Sequence, residues 1–180
     1  IPFRSNLKIN KNYLIASNDN NNLLFYNKDN GEIIKSIPTE ETIVKNQFIN
    51  NLSSNNNQLF FLNTYGSLYS VKTDTLKINW FLNINQTLDL NPSNIFFGSK
   101  IVNNKDKIVV SSAQFTYVIN SKTGSVILKK NFVPVVKPIL IDEYLFLITK
   151  NNLLIAMDLS SGKVIYSYDM NQKISEYLNI

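Results

Sequence analysis

Carboxylates are the residues of this sequence from which a catalytic or metal site could be built, and they are sparse. The chain has 13 acidic residues and neither cysteine nor histidine, which excludes thiol nucleophiles, imidazole bases and Cys/His zinc sites. Adjacent acids occur only at Glu40-Glu41 and Asp142-Glu143. Because these pairs form no recognisable metal-ligand cluster, the sequence predicts a binding module that is not an enzyme and that carries no cofactor or metal.

Positive charge is spread along the chain and does not mark a binding patch. The net charge is +5, and the densest local pair of lysines is Lys129-Lys130. A nucleic-acid or lipid patch would show a polybasic run, and there is none. We therefore expect a solvated surface and no nucleic-acid partner.

Length and apolar patterning bound the architecture. With 180 residues the chain is long enough for one compact unit or one run of stacked units. No apolar stretch approaches the length of a membrane span, so no transmembrane segment is expected, and the chain opens at Ile1 without a signal peptide. We interpret it as a mature or trimmed piece. Its 29 asparagines resemble the bias of an AT-rich genome, which lowers the information that each one carries.

The elements that must position any site are revealed by an internal repeat. A polar residue, three intervening positions and a turn residue recur four times, and the turn residues Gly31, Leu76, Gly124 and Gly162 are separated by 45, 48 and 38 residues. Each turn is preceded by an apolar run and followed by a second one. A short strand, a turn that favours positive φ and a returning strand predict a hairpin.

Two further strands precede each hairpin, so the repeating unit is predicted to have four antiparallel strands. The strand next to the hairpin is predicted at Tyr13–Ser17, Leu59–Asn63, Lys107–Ser111 and Tyr144–Ile148. The first strand of each unit is predicted at Asn6–Ile9, Gln47–Leu52, Gly98–Val102 and Pro138–Ile141.

This pattern predicts an all-β fold with little helix: a β-propeller of four-stranded antiparallel blades, with four blades present. Short strands that are apolar on both faces need sheet stacking to bury them, and radial stacking does so. A β-sandwich also has short regular strands, but it gives no reason for one turn signature to recur at blade spacing. Approximate blades are 1–44, 45–94, 95–133 and 134–172 of a single segment 1–180, with 173–180 beginning a further connection.

The fourth hairpin carries the fullest match to a known repeat. Leu154-Ile155-Ala156-Met157-Asp158, followed by Ser161-Gly162 and Tyr166, resembles the quinoprotein-type (PQQ-like) repeat. Partial matches are Leu68-Tyr69-Ser70-Val71 ending in Trp80, and Val118-Ile119-Asn120 with Thr123-Gly124. In that family an aromatic residue at the place of Trp80 and Tyr166 docks one blade on the next. The first and third repeats depart from this pattern, with Lys35 and Leu128 at that place.

Two branches of the resembled family compete for the function. The first is the quinone (PQQ)-dependent dehydrogenases, whose propeller holds a carboxylate and amide metal cradle, a catalytic Asp and often a vicinal disulfide. The second is the BamB-like lipoproteins, which are scaffolds in the assembly of outer-membrane β-barrels. The absence of cysteine and the scarcity of acids favour the BamB-like branch. Its resemblance implies a periplasmic, outer-membrane-associated protein whose partner is a barrel-assembly subunit.

Two expanded blade-to-blade loops, 37–45 and 83–93, are the predicted partner-binding segments. Recognition residues are commonly carried on loops of a rigid scaffold, and exposed leucine beside acids indicates a covered surface. By resemblance to the BamB-like branch we carry over Asp89, with Leu90, Glu41 and Lys45 as further partner-binding residues. The other interpretation is that both loops are long solvated connections.

Blade number also predicts assembly. Propellers of the resembled family usually have six to eight blades, so four blades are expected to be half of an eight-bladed ring, completed by further sequence or by a second copy. Two copies related by a twofold axis would bury the sheet faces around Leu24, Ile34, Leu154 and Ile165. The competing arrangement is a closed four-bladed monomer.

Overall fold

The computed structural model describes residues 2–40, 48–85 and 96–172, and these residues form sixteen strands in four sheets. Residues 170–172 are helical, and the remainder of the described chain is strand, turn or loop. The strands are β1 (Lys8–Asn10), β2 (Tyr13–Ser17), β3 (Leu23–Asn27), β4 (Ile33–Ile37), β5 (Asn51–Ser54), β6 (Gln58–Leu62), β7 (Ser67–Lys72), β8 (Lys77–Asn83), β9 (Val102–Asn103), β10 (Lys107–Ser111), β11 (Thr116–Asn120), β12 (Val126–Lys130), β13 (Ile139–Ile141), β14 (Tyr144–Ile148), β15 (Leu153–Asp158) and β16 (Lys163–Asp169).

Each sheet is an antiparallel meander of four consecutive strands, which we call blades 1 to 4 in chain order. The turn between the third and fourth strands has a left-handed residue in every blade: Gly31 (φ 76°), Leu76 (φ 51°), Gly124 (φ 76°) and Gly162 (φ 68°). A register shift lies at the same place in each of these hairpins. The predicted repeat of four-stranded units is therefore confirmed, and the bulge beside each turn is a further shared feature that the sequence did not predict.

The first strands of successive blades are neighbours, and they run in the same direction. Ser5, just before β1, forms a parallel bridge with Asn50, just before β5. Consequently the blade-to-blade loops lie at one end of the blades, together with the turn that joins the second and third strands of each blade. We call this end the loop side. The other two turns of each blade lie at the opposite end, the turn side.

The core lies between the blades and not within them. Each of three buried clusters joins two consecutive blades, because alternate residues of one strand face opposite neighbours. Blades 1 and 2 share Ile15, Leu23, Phe25, Ile37, Leu52, Leu59, Phe61, Tyr69 and Val71. Blades 2 and 3 share Phe48, Phe60, Leu62, Leu68, Ile84, Phe96, Ile101, Ile108, Val110, Tyr117 and Ile119. Blades 3 and 4 share Val102, Val109, Val118, Leu145, Leu147, Ile155, Met157 and Leu159.

Asparagine side chains link the first strands of neighbouring blades. Asn6 accepts from the backbone N of Leu52 (2.8 Å) and donates to its carbonyl (3.0 Å), which ties blade 1 to blade 2. Asn51 accepts from the backbone N of Ile101 (2.9 Å) between blades 2 and 3. Asn104 donates to the carbonyl of Asp142 (2.8 Å) between blades 3 and 4. Here asparagine has a specific structural use, which its abundance in the sequence concealed.

The first strand of each blade differs most from its predicted position. Observed first strands begin two to four residues later than predicted in blades 1 to 3, and β9 is reduced to Val102–Asn103. The residues just before these strands are held by side-chain hydrogen bonds, such as those of Asn6, instead of a strand ladder. Residues 173–180, predicted to begin a further connection, lie outside the described residues.

Candidate protein-binding surface

The four predicted partner-binding residues, Glu41, Lys45, Asp89 and Leu90, lie outside the described residues. The structure does describe both ends of each loop that carries them. The first loop leaves blade 1 at Ile37–Glu40 and returns at Phe48, and the second leaves blade 2 at Asn83–Asn85 and returns at Phe96. These four loop bases, on the loop side, are therefore the part of the predicted site that can be examined directly.

The base of the first loop is fixed by the carboxylate of Glu40. This carboxylate accepts hydrogen bonds from Tyr69 Oη (2.5 Å), Ser67 Oγ (3.0 Å) and Asn63 Nδ2 (3.1 Å), all from blade 2. The backbone carbonyl of Glu40 accepts a hydrogen bond from Asn21 Nδ2 (2.8 Å), in blade 1. The residue that precedes predicted site residue Glu41 is thus clamped between two blades.

The environment of Glu40 keeps it ionised. Burial alone would raise the pKa of Glu40, but hydrogen bonds from Tyr69, from its own backbone, from Ser67 and from Asn63 together hold the pKa below its usual 4.5. For Tyr69, burial and the adjacent carboxylate both raise the pKa of the phenol. At neutral pH the pair is therefore a phenol donating to a carboxylate, which is a structural clamp.

A layer of buried amides and hydroxyls lies beside this clamp. Asn50 Nδ2 donates to Ser17 Oγ (2.8 Å) and Asn21 Oδ1 (3.0 Å), and Thr64 Oγ1 donates to the same oxygen (3.0 Å). Asn21, Asn50 and Ser17 are fully buried. Asn50 Oδ1 is buried without a hydrogen-bond partner, but the bonds that the other groups make connect the two blades, and such a connected network holds its members in one arrangement.

The returning ends of the two loops contact each other. The rings of Phe48 and Phe96 are 5.0 Å apart in an edge-to-face arrangement, and both residues are buried. Phe96 also lies where a side chain at Gly66 would be, with a ring carbon 2.6 Å from the Cβ position. The structure therefore brings the two predicted partner-binding loops together at their bases.

A third loop, which the sequence did not single out, contributes to the same side. Residues 131–138 join blade 3 to blade 4, and Pro134 forms a bridge with Thr149 at the loop-side turn of blade 4. Val135 and Val136 in this loop are 52% and 54% exposed. The sequence signal for this loop is its pair of adjacent valines. A short run of valine predicts a strand at least as well as it predicts a loop that contacts a partner.

Further exposed apolar side chains lie beside the loop bases. Ile49 follows Phe48 and is 61% exposed, and Phe97 follows Phe96 and is 53% exposed. Thus each of the two returning loop ends pairs one buried aromatic ring with one exposed apolar side chain. An exposed lysine lies beside one of them, because Lys150 Nζ is 5.7 Å from the centroid of the Phe97 ring.

The described residues, 2–40, 48–85 and 96–172, include no helix that is long and apolar enough to cross a membrane. The same residues include no group of three or more acidic side chains that could share a metal ion.

No protein-family model and no curated protein matches this sequence. Solved structures do share its fold. BamB from Moraxella catarrhalis is similar with a TM-score of 0.73 at 9% identity, over 90% of this chain and 50% of the BamB chain. This chain therefore spans about half the length of BamB.

Two other solved structures support the same conclusion about fold. The computationally designed Ika4 protein has a TM-score of 0.69 at 12% identity, over 88% of this chain and 91% of its own. The quinohemoprotein alcohol dehydrogenase ADHIIG from Pseudomonas putida HK5 has a TM-score of 0.70 at 8% identity, over 92% of this chain and 34% of its own. At such low identity the likeness establishes the fold alone, and this chain folds as four consecutive blades of a β-propeller.

Proposed function

We propose that this chain is a non-catalytic, BamB-like scaffold that binds a protein partner and assists the assembly of outer-membrane β-barrels. The proposed partner is a subunit of the barrel-assembly machine, and the proposed location is the periplasm, in association with the outer membrane. The observation that carries the proposal is the loop side, where two loop bases meet and present Ile49 and Phe97 to solvent.

This arrangement suits protein recognition for a physical reason. Phe48 and Phe96 belong to the buried core between blades 2 and 3, so the residues after them project from a rigid base. Rigid apolar side chains lose little conformational entropy on binding, and an apolar centre surrounded by polar residues is typical of a protein interface. Lys150, with Nζ 5.7 Å from the centroid of the Phe97 ring, contributes to such a polar rim.

Binding to the purified barrel-assembly subunit tests the proposal directly. We expect Ile49→Asp and Phe97→Asp each to weaken binding at least tenfold, because each places a charge at the centre of the proposed interface. Ile78→Asp is the matched control. Ile78 lies near the start of the outer strand β8, at the turn side, and is similarly exposed (44%). Equal effects of all three variants would contradict the proposal.

The four residues of the loops themselves form a second set of variants. We expect the charge reversals Glu41→Lys, Lys45→Glu and Asp89→Lys, and the change Leu90→Asp, to weaken the same complex. Asp74→Lys, at a turn on the turn side, is the control reversal. If the loop variants bind as well as the unchanged chain, these loops are solvated connections and do not bind the partner. Fractionation of cells that contain the full-length protein tests the periplasmic location.

The alternative function is that of a fragment of a quinone-dependent dehydrogenase propeller, and the likeness to ADHIIG is the observation that favours it. The described residues include no group of three or more acids that could share a metal ion, so no metal-ligand group among them supports this alternative. Incubation of the full-length protein with pyrroloquinoline quinone, calcium and an alcohol or aldose tests this alternative. Strong dye reduction would favour the dehydrogenase over the scaffold.

A further inference from the structure

The hairpin turn of blade 1 contains two neighbouring residues that can react with each other. Asn30 is followed by Gly31, and this is the only Asn-Gly step among the 29 asparagines of the sequence. Asparagine is thermally labile, because the backbone nitrogen of the following residue can attack its side-chain amide. Glycine presents that nitrogen with the least hindrance, since it has no Cβ. The turn therefore carries the groups that are needed for loss of the side-chain amide.

The later blades place a hydroxyl side chain where blade 1 has this asparagine. The residues before their left-handed turn residues are Thr75, Thr123 and Ser161. In blade 3, Thr123 Oγ1 accepts a hydrogen bond from the backbone N of Ser125 (3.3 Å). In blade 1, Asn30 Oδ1 accepts from the backbone N of Glu32 in the same way (3.1 Å). The two side chains thus have the same role in the turn, but only the amide offers a carbonyl carbon that a backbone nitrogen can attack.

Three hydrogen bonds of the turn determine how readily the two residues react. The bond from Glu32 N to Asn30 Oδ1 keeps the side chain folded along the backbone that contains Gly31. The nitrogen of Gly31 donates to the carbonyl of Asn27 (2.8 Å), which favours retention of its proton. Asn30 Nδ2, the leaving group, donates to Glu32 Oε2 (2.9 Å), and a carboxylate that accepts this bond cannot supply the proton with which ammonia leaves. The folded turn therefore brings the two residues together and slows their reaction.

We propose that Asn30 is a deamidation site that reacts through a succinimide with Gly31, and that Glu32 slows the reaction by holding the side-chain amide. The nitrogen of Gly31 forms a bond to Asn30 Cγ and gives its proton to water. The Cγ–Nδ2 bond breaks, and Nδ2 leaves as ammonia with a proton from water. A further water molecule then opens the ring at either of its two carbonyl carbons, which leaves aspartate or isoaspartate. No oxidant or reductant is needed.

The product would change the turn of blade 1. An aspartate at this position loses the donor that binds Glu32, and two carboxylates would then lie side by side and repel each other. An isoaspartate adds one carbon to the backbone of a hairpin whose register already shifts between Phe25 and Tyr26. The inference goes beyond the proposed function and does not depend on it, because the bonds that carry it all lie between residues 27 and 32.

The first experiment follows the reaction in the folded protein during incubation at pH 8, by digestion with trypsin and mass spectrometry. Trypsin releases residues 29–35, in which Asn30 is the only asparagine, and residues 108–122, in which Asn120 is the only one. We expect the mass change from amide to acid to accumulate at Asn30 at least tenfold faster than at Asn120, which precedes a serine. An unincubated sample corrects for reaction during digestion. Equal rates at the two sites, or a product that contains no isoaspartate, would overturn the proposal.

Gly31→Ala tests the attacking nitrogen. We expect at least a tenfold slower reaction at Asn30, because the added methyl group hinders closure of the ring. Circular dichroism establishes that the variant is folded, and the rate at Asn120 in the same sample is the internal control. If Gly31→Ala reacts as fast as the unchanged chain, the succinimide route is wrong.

Glu32→Ala tests the bond to the leaving group. We expect at least a threefold faster reaction at Asn30 in the folded chain, and no acceleration in concentrated urea, where the turn is unfolded. Asp29→Ala is the matched control, because it removes a carboxylate from the same turn but keeps the backbone N that binds Asn27 Oδ1 (2.8 Å). It should leave the rate unchanged. Equal rates in Glu32→Ala and Asp29→Ala, or the same acceleration by Glu32→Ala in urea, would overturn the role of Glu32.

Discussion

The indole of Trp80 in blade 2 covers Gly124 in blade 3. Ring carbons lie 2.7 Å from the position that a Cβ at Gly124 would occupy, and Trp80 Nε1 donates a hydrogen bond to the carbonyl of Ser121 (3.0 Å). The ring also stacks on Phe60 at a centroid distance of 6.3 Å. This contact connects the outer strand of one blade to the hairpin turn of the next, far from the axis around which the first strands gather.

Gly31 and Gly124 have the same φ of 76°. Substituting each of them separates the loss of stability caused by the contact with Trp80 from the loss caused by backbone strain. Gly124→Ala and Gly31→Ala impose the same backbone strain of roughly 1–2 kcal/mol, but only Gly124→Ala also places a methyl group against Trp80. We expect Gly124→Ala to lower the free energy of unfolding by about 1–3 kcal/mol more than Gly31→Ala does. Urea unfolding of the two variants measures this difference. Equal losses would mean that the indole moves aside freely.

Acid should loosen the clamp at the base of the first loop. The pKa of Glu40 is lowered in the folded chain, so its contribution to stability is present above the unfolded value of about 4.5 and is lost as pH falls through the lower folded value. We expect Glu40→Gln to destabilise the chain by about 1–2 kcal/mol at pH 7, since it weakens hydrogen bonds to a partly exposed carboxylate. The difference from the unchanged chain should shrink below pH 4.5.

Thermal or urea unfolding at pH 7 and at pH 3 measures this effect. Glu32→Gln is the matched control, because Glu32 is an exposed residue whose carboxylate accepts only from the side chain of its neighbour Asn30 (2.9 Å). We expect this control to change stability little at either pH. A Glu40→Gln chain whose deficit is the same at both pH values would contradict the assignment of an ionised clamp.

The turn of blade 4 should hold an unusually acidic carboxylate. Asp158 accepts from Ser160 Oγ (2.6 Å), the Ser160 backbone N (2.8 Å) and Ser161 Oγ (2.7 Å). These hydrogen bonds lower the pKa of Asp158 to about 2. We expect the double variant Ser160→Ala/Ser161→Ala to raise this pKa towards 3.8, as followed by carboxyl chemical shifts, and Ser125→Ala, in the turn of blade 3, to leave it unchanged. An unmoved pKa would mean that the hydroxyls do not control it.

The repeat was predictable because local chemistry specified it. Three of the four strands that precede the hairpins were predicted with their observed bounds, at Tyr13–Ser17, Lys107–Ser111 and Tyr144–Ile148. Each follows a tight turn, and the turns after the first and the last of them contain Asn21 and Asn152 at positive φ. Such signals depend on neighbours in the sequence, so a single chain reveals them.

Contacts between blades could not be predicted in the same way. Glu40 meets Asn63, Ser67 and Tyr69, which are 23 to 29 residues away in the next blade. Nothing in the sequence pairs one polar side chain with another across such a distance. Asparagines were also discounted as a compositional bias, whereas Asn6 and Asn51 each bind backbone atoms of the following blade. These roles depend on how one blade stacks on the next.

Asn6 provides the most local test of that stacking. Its side chain accepts from the backbone N of Leu52 and donates to the carbonyl of the same residue, and Leu52 is only 2% exposed. Asn6→Ala leaves both backbone groups without this partner, which costs roughly 1–3 kcal/mol. We expect the Leu52 amide to exchange its hydrogen about tenfold faster or more. Asn6→Asp should have a smaller effect on the amide, because it keeps the accepting oxygen and loses only the donor.

Hydrogen exchange followed by NMR separates these outcomes residue by residue. Asn12→Ala, at the exposed turn between β1 and β2, is the control that removes an asparagine side chain without removing a link between blades. Faster exchange at Leu52 in Asn6→Ala, with unchanged exchange at Val118 in the core between blades 3 and 4, would locate the loss at the junction of blades 1 and 2. Uniformly faster exchange along the chain would instead indicate global destabilisation. Unchanged exchange at Leu52 would show that the side chain of Asn6 does not hold the two blades together.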